Sequence, residues 1–377
     1  MSITNAGGCR RFAYYEGCKL KKIWLLGLFC LQPLSSVALE TLALDAAMQA
    51  KGLRQSSEFT GVAAIAQNGQ LVWHFAGTAF SSSADSEQQP NGIRRTMLDN
   101  FTLASQSKQI TATLVLQAID QQKLSLDTPL SAVLPERAAL FAEPILIRHL
   151  LSHSAGIAGL DKPLQTTPGS QFAYSNTGYD LLGEVLAAVY HRPYASVAND
   201  LFAKCQLLNT VVPTADRPTS QVARLVPGVV ERAGKLQPAP LDGNDQFAAS
   251  GRIVSSASDL LKFMHCLHET PLLNAKSHQQ MVQPYFARKH RFGNVFYGFG
   301  LQVSAIDGLT EWSHSGYVDG YISTTLYYPQ TRVSVVVLEP LSLAPDNMDR
   351  VFYYHDQLRL ALRSQLLAGA KTPVSAN

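Results

Sequence analysis

Two short apolar runs meet at Asn68-Gly69 near the start of the chain. The first is Thr60-Gly61-Val62-Ala63-Ala64-Ile65-Ala66 and the second Leu71-Val72-Trp73-His74-Phe75. Asn-Gly accepts positive φ at both central turn positions, so residues 59–79 read as a β-hairpin. Residues 81–91, rich in Ser, Gln and Asp, predict an exposed loop. From residue 105 to about 266 the apolar spacing becomes helical, at 111–122, 147–152, 179–189, 194–207 and 256–267, with Pro and Gly between the segments. After Phe292 short strand patterns return at 297–303, 311–315, 321–328 and 333–338, and a helix from about 346 to 367 closes the chain.

Strands at both ends and helices between them predict an α+β fold. One antiparallel β-sheet is built from the N- and C-terminal segments and flanked by helices, with a mainly helical inserted subdomain. The α/β part is expected over about 41–104 and 250–370, and the helical part over about 105–249. With 377 residues, 46% hydrophobic and 16% charged, the chain has ample material for such a core and none of the bias of a disordered one.

Residues 1–38 read as a signal peptide. Lys19, Lys21 and Lys22 precede an apolar run from Ile23 to Leu31, and Ser36-Val37-Ala38 offers small residues for cleavage. The apolar run is too short for a membrane span, so a periplasmic or secreted product with no stable span is expected. Five of the 31 basic residues and one of the 28 acidic ones lie before residue 39, which turns a net charge of +3 into −1 for the remainder. Nothing then argues for a nucleic-acid partner. Cys9, Cys18 and Cys30 belong to the leader, leaving Cys205 and Cys266 either to pair or to stay as buried thiols.

Three stretches carry chemistry. Ser105-Gln106-Ser107-Lys108 is the one place where a serine stands three residues before a lysine. On a helix that spacing puts both on one face, where Lys108 can take the proton that makes a serine hydroxyl a nucleophile. At a helix start the Ser105 N–H would lack an intrahelical acceptor and could hold an oxyanion. The plain alternative is a helix N-cap followed by a solvated lysine. Tyr174-Ser175-Asn176 is the chain's one Tyr-x-Asn. A nearby lysine would favour the Tyr174 phenolate as a base, and Asn176 has a donor and an acceptor to offer lysine and substrate together. Its plain alternative is a turn with Asn176 as helix N-cap. His314-Ser315-Gly316-Tyr317 falls on a strand whose glycine permits close approach, with the Tyr317 N–H as a second oxyanion donor; a bulged strand with a surface histidine is the alternative.

Taken in order, these stretches resemble the serine β-lactamase and penicillin-binding-protein superfamily, in particular its class C β-lactamase-like branch. Ile147-Arg148-His149-Leu150-Leu151-Ser152-His153-Ser154-Ala155-Gly156, Ala249-Ser250-Gly251-Arg252-Ile253-Val254-Ser255-Ser256 and Gly298-Phe299-Gly300-Leu301 are similar to supporting segments of that branch. The resemblance implies an acyl-enzyme on Ser105, with Lys108 and Tyr174 sharing proton transfer. Asn176, His314, Ser315, Gly316 and Tyr317 would bind substrate or oxyanion, and no cofactor or metal is implied. The substrate would be a small molecule or peptide with an amide or ester carbonyl. Histidine at the third stretch, where efficient class C β-lactamases have lysine, resembles D-alanyl-D-alanine carboxypeptidases, D-amino-acid peptidases and esterases, and implies slow β-lactam turnover. Pocket walls in that branch come from variable loops, here expected at 81–91, 228–247 and 287–296.

Two other readings are weaker. His149-x-x-x-His153 and His265-x-x-His268 have helical zinc-ligand spacing, but no H-E-x-x-H accompanies them. A non-catalytic binder of peptidoglycan peptides would have no use for Ser105, Lys108 and Tyr174 together.

Overall fold

A computed structural model of the protein describes residues 39–54, 58–80, 90–240 and 247–371. The expected signal peptide at 1–38 and the larger part of the loop at 81–91 lie outside the described residues. Among the described residues no helix is long and apolar enough to cross a membrane.

The centre of the fold is one antiparallel sheet of eight strands. In chain order these are β1 (Val62–Gln67), β2 (Gln70–Ala76), β3 (Phe286–His290), β4 (Gly293–Tyr297), β5 (Gln302–Ile306), β6 (Leu309–Val318), β7 (Tyr321–Tyr328) and β8 (Val333–Glu339). Their spatial order is β2-β1-β8-β7-β6-β5-β4-β3. The N-terminal hairpin therefore docks on the last long strand, with Val62 opposite Leu338 and Gln67 opposite Val333. This is the sheet from two termini that the pattern predicts, and its turn has Asn68 at φ 50°.

β1 is buried along its whole length, which explains why it reads as an apolar run rather than an alternation. Its period of two still divides the core. Ala63 and Ile65 join Leu44, Met48, Val335, Leu358 and Leu362 on the face covered by the terminal helices α1 (Thr41–Gln49) and α6 (Tyr353–Lys371). Val62, Ala64 and Ala66 join Ile110, Leu114, Leu182 and Phe263 on the face covered by α2 (Ser107–Asp120), α3 (Asn176–Tyr190) and α5 (Ala257–Glu269). Helix α4 (Tyr194–Lys204) packs on both α3 and α2, and a disulfide joins Cys205, just after α4, to Cys266 in α5.

Three expectations need correction. Residues 297–303 are not one strand: β4 ends at Tyr297 and β5 begins at Gln302. Between them the backbone turns out of the ladder, Gly298 N–H bonding the Leu301 carbonyl and Phe299 N–H the Met281 carbonyl. The closing helix is two helices, Met348–Val351 and α6, because Asn347 caps a separate first turn through Arg350 N–H. Residues 287–296 form most of the β3–β4 hairpin instead of a loop.

Candidate active site

Ser105 stands in a single 3-10 turn, Ala104–Gln106, that leads into α2. Ala104, immediately before it, has φ 50°. That left-handed backbone costs a residue with a Cβ about 1–2 kcal/mol, and it turns the chain sharply out of the short strand Asn100–Thr102. Strand β6 presses against this corner at Gly316. A Cβ there would lie 2.3 Å from the Leu103 carbonyl oxygen and 2.9 Å from the Ala104 Cβ, so only glycine admits the contact. Pairing between β5 and β6 ends at Ser313, whereas β6 and β7 stay paired to Val318. Residues 314–318 are thus not covered by β5.

Lys108, the second residue of α2 and three residues after Ser105, is completely buried. Its Nζ lies 3.1 Å from Ser105 Oγ, 2.7 Å from Asn176 Oδ1 and 2.6 Å from the Ser250 carbonyl oxygen. The last two atoms can only accept hydrogen bonds. An ammonium satisfies all three partners. A neutral amine keeps the two obligate acceptors and turns its lone pair on Ser105. Burial brings Lys108 down from 10.5 to about 7, against the opposing charge of Asp180. Asp180 is itself pushed up to about 6 by burial. The lysine therefore has a proton-free population at neutral pH, and that form is the one aimed at the serine.

Tyr174 O–H donates to Ser105 Oγ at 2.7 Å, and Lys108 Nζ lies 5.0 Å from the centre of the tyrosine ring. The residue as a whole is 40% exposed. Burial pushes it up to about 12, outweighing the lowering by the Ser105 bond and by Arg288. This corrects the expectation of a favoured phenolate, because desolvation exceeds any help from a neighbouring cation. Tyr174 carries its proton at neutral pH. Asn176 is the first residue of α3, and the cap is Ser175, whose Oγ accepts from Gly178 N–H. The Asn176 side chain is thereby free to serve Lys108.

His314 is buried and both its nitrogens are engaged. Nδ1 lies 2.8 Å from the Ser315 carbonyl oxygen, which can only accept, so Nδ1 holds the proton. Nε2 then accepts from Tyr297 O–H at 3.0 Å. Burial, with Lys108 as the next cause, lowers His314 to about 3, so the ring is neutral. Ser315 Oγ bonds Thr324 Oγ1, and the Tyr317 hydroxyl donates to the Leu343 carbonyl, leaving the Tyr317 backbone as its part nearest this corner.

The structure brings Ser105, Lys108, Tyr174 and Asn176 into direct contact, with Gly316 against the serine turn. Sequence reasoning missed two contributors. The Ser250 carbonyl is a backbone atom in the Ala248–Arg252 turn, and no residue type announces it. His153 was read as half of a helical histidine pair, yet it lies under Tyr174 with ring centroids 4.3 Å apart, and its Nδ1 accepts from Ser175 N–H. Its surroundings, Phe172, Tyr179 and Tyr297, form an aromatic wall. His149 instead accepts from Leu146 N–H, so the pair does not converge, and no metal-binding group of three occurs among the described residues.

A family model described as Beta-lactamase matches residues 46–350. The chain belongs to the beta-lactamase family. Among its relatives, the probable fimbrial assembly protein FimD, serogroup H1, of Dichelobacter nodosus is 29% identical over 67% of this chain and 70% of that protein. The D-alanyl-D-alanine-carboxypeptidase/endopeptidase AmpH of Escherichia coli (strain K12) is 23% identical over 55% of this chain and 60% of its own. The octameric penicillin-binding protein homologue from Pyrococcus abyssi superposes with a TM-score of 0.71 at 21% identity, covering 86% of this chain and 78% of that one. That likeness establishes the β-lactamase/transpeptidase-like fold, and membership of the family makes the chain a serine hydrolase.

Proposed function

We propose that this protein is an exported hydrolase that forms an acyl-enzyme on Ser105 from an amide or ester, and that its substrates are D-alanyl-type peptides or short esters. One observation carries the reading: Ser105 Oγ is held between a buried lysine brought to about 7 and a protonated tyrosine. In the forward step neutral Lys108 takes the Ser105 proton as Oγ attacks the carbonyl carbon. The N–H groups of Ser105 and Tyr317 receive the oxyanion, each worth about 3 kcal/mol of barrier. Tyr174 then gives its proton to the leaving amine or alkoxide and regains one from the Lys108 ammonium. Water, deprotonated by the same relay, releases the acid from Ser105.

Asn176 fixes Lys108 and offers its amide to the substrate. The basic and apolar pattern of residues 1–38 supports export, with the mature domain beginning near residue 39 and its helical part over about 105–249. His314 supplies no charge, so penicillin should acylate Ser105 and leave slowly. Covalent labelling of purified protein by a fluorophosphonate, lost in Ser105→Ala, tests the reading. An unlabelled wild type, or a labelled Ser105→Ala, would refute it. Rapid cephalosporin turnover would overturn the preference for peptides and esters.

A further inference from the structure

Tyr297, the last residue of β4, reaches past β5 to the strand that carries His314. The final rung of the ladder runs from Tyr297 through Gln302 of β5 to Ser313 of β6. Beyond it β5 pairs no further, and residues 314–318 of β6 keep a ladder only with β7. At this point the Tyr297 hydroxyl donates to His314 Nε2 at 3.0 Å, joining β4 to β6 across the strand between them. Both residues are buried, at 0% and 2% exposed, where a hydrogen bond is stronger than in water.

A ladder holds a strand through its backbone, and here a side-chain pair stands where the backbone partner stops. His314 passes the constraint on. Its Nδ1–H folds back on the Ser315 carbonyl at 2.8 Å, which ties the ring to the peptide that leads into Gly316. Gly316 presses on Leu103 and Ala104, and Tyr317 follows it. On its other side Tyr297 is fixed by packing, with its ring centre 4.8 Å from that of His153 and 5.5 Å from that of Phe172. Both of those rings pack on Tyr174, with centroids at 4.3 and 6.5 Å. One residue thus spans two halves of the site, the wall under Tyr174 and the strand with the Tyr317 N–H.

We propose that Tyr297 is a positioning residue of the site: through His314 it holds the uncovered end of β6 against the Tyr174 wall, and so keeps the Tyr317 N–H where the oxyanion forms. The proposal rests on the acyl-enzyme reading above. Tyr297 touches no reacting atom and exchanges no proton with substrate. It acts through geometry, since a displacement of about 1 Å in a reacting constellation can cost about a hundredfold in rate.

Tyr297→Phe keeps the ring and removes the bond. Single-turnover acylation of Ser105 should then slow by about tenfold, part of the ~10²–10³ lost when an oxyanion donor is removed outright. Nitrophenyl acetate and a D-alanyl amide should lose alike, because both form the oxyanion. In a His314→Ala background the bond is already gone, and Tyr297→Phe should cost less than about twofold more. Independently of any variant, nitrogen-15 spectra of histidine-labelled wild type should show His314 with its proton on Nδ1 and a bare, hydrogen-bonded Nε2. A His314 protonated on Nε2, wild-type acylation in Tyr297→Phe, a loss confined to the amide, or an equal loss with and without His314 would overturn the proposal. Failure of the acyl-enzyme reading is distinct, because nitrophenyl acetate would then be hydrolysed equally by wild type and Ser105→Ala.

Discussion

Two buried cations on opposite faces of the same sheet have different fates. Arg54, under the terminal helices, is 1% exposed and forms a two-point ion pair with Glu339, at 2.8 and 3.3 Å. Lys108, under the helical face, is equally buried but its partners are a hydroxyl, an amide oxygen and a peptide carbonyl. A carboxylate in contact makes a buried charge structural. Neutral acceptors in contact, with Asp180 acting from farther off, offset only part of the desolvation cost, and the lysine answers by giving up its proton near pH 7. On the proposed reading, the difference between the faces is a difference between holding a charge and readying a base.

The comparison sharpens if both cations are replaced by methionine. Lys108→Met should lower the rate of Ser105 acylation by about 10²–10⁴, the contribution of a positioned base. Arg54→Met should instead cost about 3–5 kcal/mol in denaturant unfolding, because buried Glu339 loses its guanidinium and keeps the uncharged His355 ring at 3.9 Å. Lys108→Met leaves neutral acceptors unpaired and removes a cation that acts from beyond contact on Asp180, whose carboxyl burial already pushes up to about 6, and so should destabilise less than Arg54→Met. Equal losses in the unfolding midpoint would break the distinction. Reduction of the Cys205–Cys266 disulfide, which closes a 61-residue separation beside the helical face, should cost about 2–4 kcal/mol, read as a lowered Tm with dithiothreitol. The smallest effect is expected for Tyr174→Phe with nitrophenyl acetate, under about tenfold, since nitrophenolate departs without a proton. With a D-alanyl amide the same variant should lose about a hundredfold.

How much of this was legible in the sequence depended on whether the feature is local. Ser105 and Lys108 meet through helical spacing, and the Asn68-Gly69 turn through backbone preference, so both were readable. That the N- and C-terminal strands share one sheet was readable as well, from strand patterns left at the two ends of the chain; the pairing of β1 with β8 was not. The positive φ of Ala104 was not either, because alanine signals no left-handed turn and the close approach of Gly316 to this corner is set by tertiary packing. The protonated state of Tyr174 was not legible for an energetic reason: the sequence shows a phenol, but neither its distance from a cation nor the burial of its hydroxyl. The pairing of Cys205 with Cys266 and the stacking of Arg288 on Phe172 join distant segments, and only the tertiary structure sets those distances.

The central claim is that neutral Lys108 takes the Ser105 proton. Its most direct test is the pH dependence of Ser105 acylation under single-turnover conditions, for instance by a fluorophosphonate. Deprotonation of a lysine lowered to about 7 predicts a rate that rises through pH 7 and levels off by about pH 8.5, with the rise abolished in Lys108→Met. A wild-type rate that is flat from pH 6 to 8.5, or that climbs only above about pH 9, would contradict the assignment of Lys108 as the base.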